Sequence, residues 1–202
     1  ASATVSTGGS LIVKAFERVG PAEQSYGYGW GLETWGTGGF GSAASASNIT
    51  LEPGLWSLDN FGEVLIATIA NGKTFTWDAG AASPFTNRAS TTTTNFSTGA
   101  NPTSTRLTLI SPTTRHLIHM GTETTIGNSS TRDNMFIRFS DAEDINSYGT
   151  SAINTAGSQR LQDGTKIIGA LKAKETILIW TDNALYTMKF VGAPFTFGFE
   201  QV

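Results

Sequence analysis

The chain has 202 residues, with 23 glycines, no cysteine, 14% charged side chains and a formal net charge of −3. Without cysteine there are no disulfides, thiolate metal sites or cysteine nucleophiles, which suits a protein made in a reducing cytoplasm. Its lysines and arginines are scattered singly, so direct nucleic-acid binding is not expected, and no apolar run reaches the roughly 18 residues of a membrane span.

In chain order, residues 1–50 stand apart. One strand is expected at Leu11 to Phe16. Glycine and aromatics then interleave through Tyr26, Tyr28, Trp30, Trp35 and Phe40. Glycine at this density resists regular structure because each one costs extra backbone entropy to order. The segment therefore reads as an arm whose five aromatics form an interaction surface on this domain or on a neighbour.

Residues 51–202 read as an antiparallel β domain with little helix. Val64 to Ile69 is apolar and β-branched, Asn71-Gly72 is a hairpin signal, and Thr74 to Trp77 alternates so that Phe75 and Trp77 share a face. A two-residue turn at Asn71-Gly72 puts both residues at positive φ. Ser90 to Thr105 is rich in Thr, Ser and Asn and reads as an exposed connection. Arg115 to Met120 and Met135 to Phe139 form a further strand pair. Leu161 to Ile168 reads as a hairpin turning at Asp163-Gly164, and Ile177 to Trp180 returns through Asp182-Asn183 into Leu185 to Phe190. Glu63 to Asp78 and Glu175 to Phe190 repeat one pattern, with Asn71 and Asn183 at matching places. Such recurrence fits a β-propeller or partial propeller of antiparallel hairpins, with a β-sandwich as the alternative. The chain begins at Ala1 and ends just after the apolar run Phe195 to Phe199, so it reads as part of a longer protein.

Several constellations bear on chemistry. Gly36, Gly38 and Gly41 match a dinucleotide-loop spacing without the strand and helix that give it meaning, so no cofactor is expected. His116 and His119, three apart on a strand, point to opposite faces and cannot close on one metal ion. No nucleophile elbow accompanies them, and no catalytic residue is assigned. The acidic loop Asp141, Glu143 and Asp144 is the one candidate for calcium, against a plain solvated turn. Asp59, Glu63, Asp163 and Asp182 lie near expected turns, and a carboxylate pair among such residues would be the mark of a glycan hydrolase. Trp56, Trp77, Trp180, Phe195, Phe197 and Phe199 are assigned mostly to the core; a sugar platform would require some of them at the surface.

The ordered motifs Trp56 to Glu63, Trp77-Asp78, Met135 to Asp141, Asn154 to Leu161, Ile177 to Asp182 and Phe195 to Phe199, with the Tyr-Gly-Trp-Gly arm, resemble large virion structural proteins of tailed bacteriophages, particularly those of marine bacteria. Through these the chain is distantly similar to propeller-like tail proteins that stabilise packaged DNA. The resemblance implies a non-enzymatic tail or neck component, assembled in the host cytoplasm and located in the virion. It implies contacts with other tail proteins and with copies of itself. A receptor- or glycan-binding tail module is the alternative, with a host surface glycan as partner.

Overall fold

The computed structural model describes residues 55–81, 89 and 101–202. The chain divides between Gly54 and Leu55, and every described residue lies in the second unit. The expected arm, with Tyr26, Tyr28, Trp30, Trp35 and Phe40, the strand at Leu11 to Phe16 and the stretch 90–100 lie outside the described residues.

The described residues are all-β. Eleven strands form three antiparallel sheets, and a single 3-10 turn at Ser129–Thr131 is the only helical element among them. The first sheet is β1 (Trp56–Phe61), β2 (Val64–Ile69) and β3 (Thr74–Asp78); the second is β4 (Leu107–Ile110), β5 (Leu117–Met120), β6 (Phe136–Phe139) and β7 (Gly157–Arg160); the third is β8 (Ile167–Lys172), β9 (Thr176–Thr181), β10 (Leu185–Phe190) and β11 (Phe197–Gln201). Within each sheet neighbours in space are neighbours in sequence, so each is a simple meander. There are three sheets rather than the two of a sandwich.

The sheets stack in chain order because side chains alternate across each strand. On β5, Leu117 joins Ile66, Ile110, Ile145 and Tyr148 in a core toward the first sheet. Ile118 and Met120 join Ile137, Ile177, Ile179 and Met188 in a larger core toward the third. The middle sheet is thus covered on both faces, and all four residues of β5 are buried.

The first strands of the three sheets converge. Thr108 N donates to Ser57 Oγ at 3.1 Å and Ile110 N to Asp59 Oδ2 at 2.7 Å, a two-residue step on both strands that sets β1 and β4 parallel. Lys172, at the end of β8, reaches the same Asp59 carboxylate at 2.6 Å.

The expected hairpins are formed by β2 with β3 and by β9 with β10. In the first, Leu65 faces Trp77 and Ala67 faces Phe75; in the second, Trp180 faces Leu185 and Ile179 faces Tyr186. The two copies of the sequence repeat are therefore the second and third strands of the first and third sheets. The pair β5–β6 also forms, with His119 opposite Arg138.

Other expectations fail for identifiable reasons. Leu161 to Ile168 is not a hairpin but the crossing from the second sheet to the third, with Gly164 at φ 124° seated against Thr181 and Asp182. Ser104 and Thr105 are buried rather than exposed, because their hydroxyls find partners inside.

The Asn71-Gly72 turn also differs. Ile69 N donates to Lys73 O, which leaves a three-residue connection, and of the pair only Asn71 has a left-handed φ, at 62°. Gly72 is required by space instead: a Cβ there would lie 2.5 Å from Ile69 Cγ2. Gly72→Val is therefore expected to lower stability by about 1–3 kcal/mol through overpacking. Chemical denaturation checks this, and an unchanged midpoint would reject the steric account.

Candidate functional site

Between the first and second sheets lies a polar layer built largely of threonines. Thr68 Oγ1 bonds Thr74 Oγ1 and Thr108 Oγ1, each at 2.8 Å, joining strands from two sheets. Beside it sits His119, fully buried, with Nδ1 3.1 Å from Thr105 Oγ1 and Nε2 2.9 Å from Tyr148 Oη. Thr122 gives its only hydroxyl proton to Ser104 O, so the Thr105–Thr122 bond at 3.0 Å takes the proton of Thr105. It follows that His119 is the Nδ1–H tautomer and accepts from Tyr148 at Nε2. Burial and the Arg138 cation hold its pKa down at about 3, and burial pushes the Tyr148 phenol well up.

Arg138 lies on the same face. Its Nη2 donates to the carbonyls of Glu123 and Thr124, its guanidinium is 5.3 Å from the Phe136 ring, and its Nε is buried without a partner. Burial lowers its pKa, opposed by the Glu123 carboxylate. Glu123 is itself fully buried. Its Oε1 accepts from the Thr103 amide at 3.0 Å and from the Thr103 hydroxyl, and its Oε2 accepts from Gly127 N at 2.7 Å.

His116 occupies the opposite side of β5, packed edge-on to Phe139 and Phe197. Thr155 Oγ1 donates to Asp141 Oδ1 at 2.5 Å, so it accepts from His116 Nε2–H at 2.9 Å, and Nδ1 accepts from Thr114 at 2.6 Å. The imidazole is neutral, with its pKa lowered to about 4 by burial against the opposing Asp141 charge. The two histidines thus face opposite ways, in opposite tautomers, each with its hydrogen bonds filled. Neither stands beside a free nucleophile.

The acidic loop does not converge. Asp141 is taken up by Thr155 and Ala142, Glu143 pairs with Arg115 at 3.1 Å, and Asp144 caps the Asn146 amide. Among the described residues no three His, Asp or Glu side chains are grouped so as to hold a metal ion. No described helix is long and apolar enough to cross a membrane.

The aromatic assignment divides. Phe197 is core, but Trp56 is 50% exposed, Trp180 39% and Phe195 74%. Trp180 belongs to the outer face of the third sheet, where the strand register also places Leu171 opposite Leu178 and Leu185 opposite Trp180. The period-two pattern located the faces but not which of them meets another layer. For the buried Glu123 and Arg138 no local motif exists: their partners are backbone groups far along the chain. No family model, curated protein or solved structure matches this chain.

Proposed function

We propose that this chain is a non-enzymatic assembly module whose three successive meander sheets are blades of a propeller-like body within a tail or neck component of a bacteriophage virion. The observation that carries the reading is the apolar outer face of the third sheet, where Leu171, at 58% exposed, and Trp180 stand in water. Single exposed apolar residues are ordinary, but a row of them along cross-strand neighbours marks a contact surface. The buried histidines and carboxylates, each consumed by internal hydrogen bonds, support a structural role for the polar groups rather than a catalytic one. The phage context comes from the sequence resemblance, and its partners are other virion proteins and copies of the chain.

Quantitative mass spectrometry of purified phage particles tests this. The expected result is a fixed copy number that survives high-salt washing, because apolar contacts are insensitive to screening. Loss on washing, or absence from particles, would sink the proposal. The exposure of Trp56 and Trp180 favours a second reading as a glycan-binding tail module, since stacking on sugars needs accessible indoles; selective binding on a glycan array that is lost in Trp180→Ala would establish it instead.

A further inference from the structure

The two end sheets carry the sequence of sheets that are covered on both sides. In a sheet with one wet face, strands alternate apolar with polar, whereas near-continuous apolar runs belong to strands buried on both faces. β5, Leu-Ile-His-Met, is such a strand, and both its faces are covered. β9 reads Thr-Ile-Leu-Ile-Trp-Thr, and its inward Ile177 and Ile179 are buried while Leu178 and Trp180 point the other way, with Trp180 39% exposed. β2 reads Val-Leu-Ile-Ala-Thr-Ile and turns Ile66 and Thr68 inward. On the outer side of that sheet, Leu58 is paired with Ala67 and Trp56 with Ile69, and Leu58 is 62% exposed. The stack therefore has an open apolar face at each end.

From this we infer that a second copy of this chain covers these faces head to tail, with the outer face of β1–β3 of one copy seated on the outer face of β8–β11 of the next. The contact continues the interface already made twice within the chain, where the first sheet packs on the second and the second on the third. Neither face suits a charged partner: the outward positions of β1 and β2 hold no ionisable group, and those of β8–β11 hold Lys189 and Glu200 on the outer strands. A head-to-tail contact is heterologous, so it builds a closed ring where the rotation between copies permits and a filament where it does not. The inference rests on the assembly reading above but fails separately from it: a chain monomeric in solution whose Trp180 is shielded in the particle overturns self-association alone.

The test is sedimentation of the full chain over a wide concentration range, with Trp180→Glu and Leu58→Glu as variants. The expected result is reversible self-association that each variant weakens about tenfold or more, the size typical of a central interface residue. An equimolar mixture of the two variants should recover pairing, because each retains the face the other has lost. A monomer at all concentrations would overturn the inference, as would association that neither variant weakens. So would association weakened by Trp180→Glu alone, since that describes like faces meeting. Thermal midpoints equal to that of the parent chain show that the variants are folded, and Leu171→Glu replaces Trp180→Glu if it is not.

Discussion

Acidification from pH 6.5 to 4 is expected to unfold this protein cooperatively, well before its carboxylates titrate. His116 and His119 are held neutral in the folded state, with pKa values lowered to about 4 and about 3. In the unfolded chain both titrate near their ordinary 6.5. Between pH 6.5 and 4 the unfolded state therefore binds more protons than the folded state, and stability falls as pH falls. Each histidine contributes up to about 1.4 kcal/mol per pH unit, so the pair removes roughly 5 kcal/mol by pH 4.5, comparable with the whole stability of many domains. The structural cause is definite for each ring. A proton on His119 Nε2 displaces the Tyr148 hydroxyl, and one on His116 Nδ1 displaces that of Thr114. Asp141, whose pKa is lowered by its bonds to Thr155 and Ala142 against the cost of burial, adds its loss only at lower pH. Circular dichroism against pH checks this, and a signal unchanged down to pH 4 would contradict it. His119→Gln should flatten the slope by about half.

Removing the buried carboxylate should have a comparable effect at neutral pH. Glu123→Ala leaves the Thr103 and Gly127 amides without their acceptor and the buried Arg138 without its counter-charge. Breaking a buried pair by deleting one member costs about 3–5 kcal/mol, because the remaining charge stays desolvated. The expected result is a large fall in the denaturation midpoint, partly recovered in Glu123→Ala combined with Arg138→Met, which removes the stranded cation. A fall of less than about 1 kcal/mol would show that water reaches the site and that the pair is not part of the core.

Strands with apolar periodicity were legible in the sequence. β2 and β10 occupy Val64–Ile69 and Leu185–Phe190, the spans their side chains predict, and the repeat between them marks equivalent strands of two sheets. The opposite facing of His116 and His119 also follows from spacing alone. What was not legible depends on partners distant in the chain. β7, Gly-Ser-Gln-Arg, is an edge strand with three exposed residues, so no burial pattern marks it. The threonines of the polar layer look like loop composition, yet Thr68, Thr74, Thr105 and Thr108 are buried because hydroxyls from separate strands satisfy one another. Asn71-Gly72 was misjudged because its glycine answers to the Ile69 side chain rather than to backbone conformation. The exposed tryptophans were misjudged because a strand pattern states which residues share a face and not what lies opposite it.

Hydroxyl-radical footprinting of the outer faces, comparing the dilute free chain with the chain in purified particles, tests the assembly account most directly. Ile153, 98% exposed at a loop, should be oxidised in both states, and buried Met188 in neither, which calibrates the experiment. The account predicts that Trp180 and Leu171 are oxidised in the free chain and strongly protected in the particle. Equal oxidation of Trp180 in both states would contradict it, since an assembly module whose apolar face stays wet after assembly has no contact there.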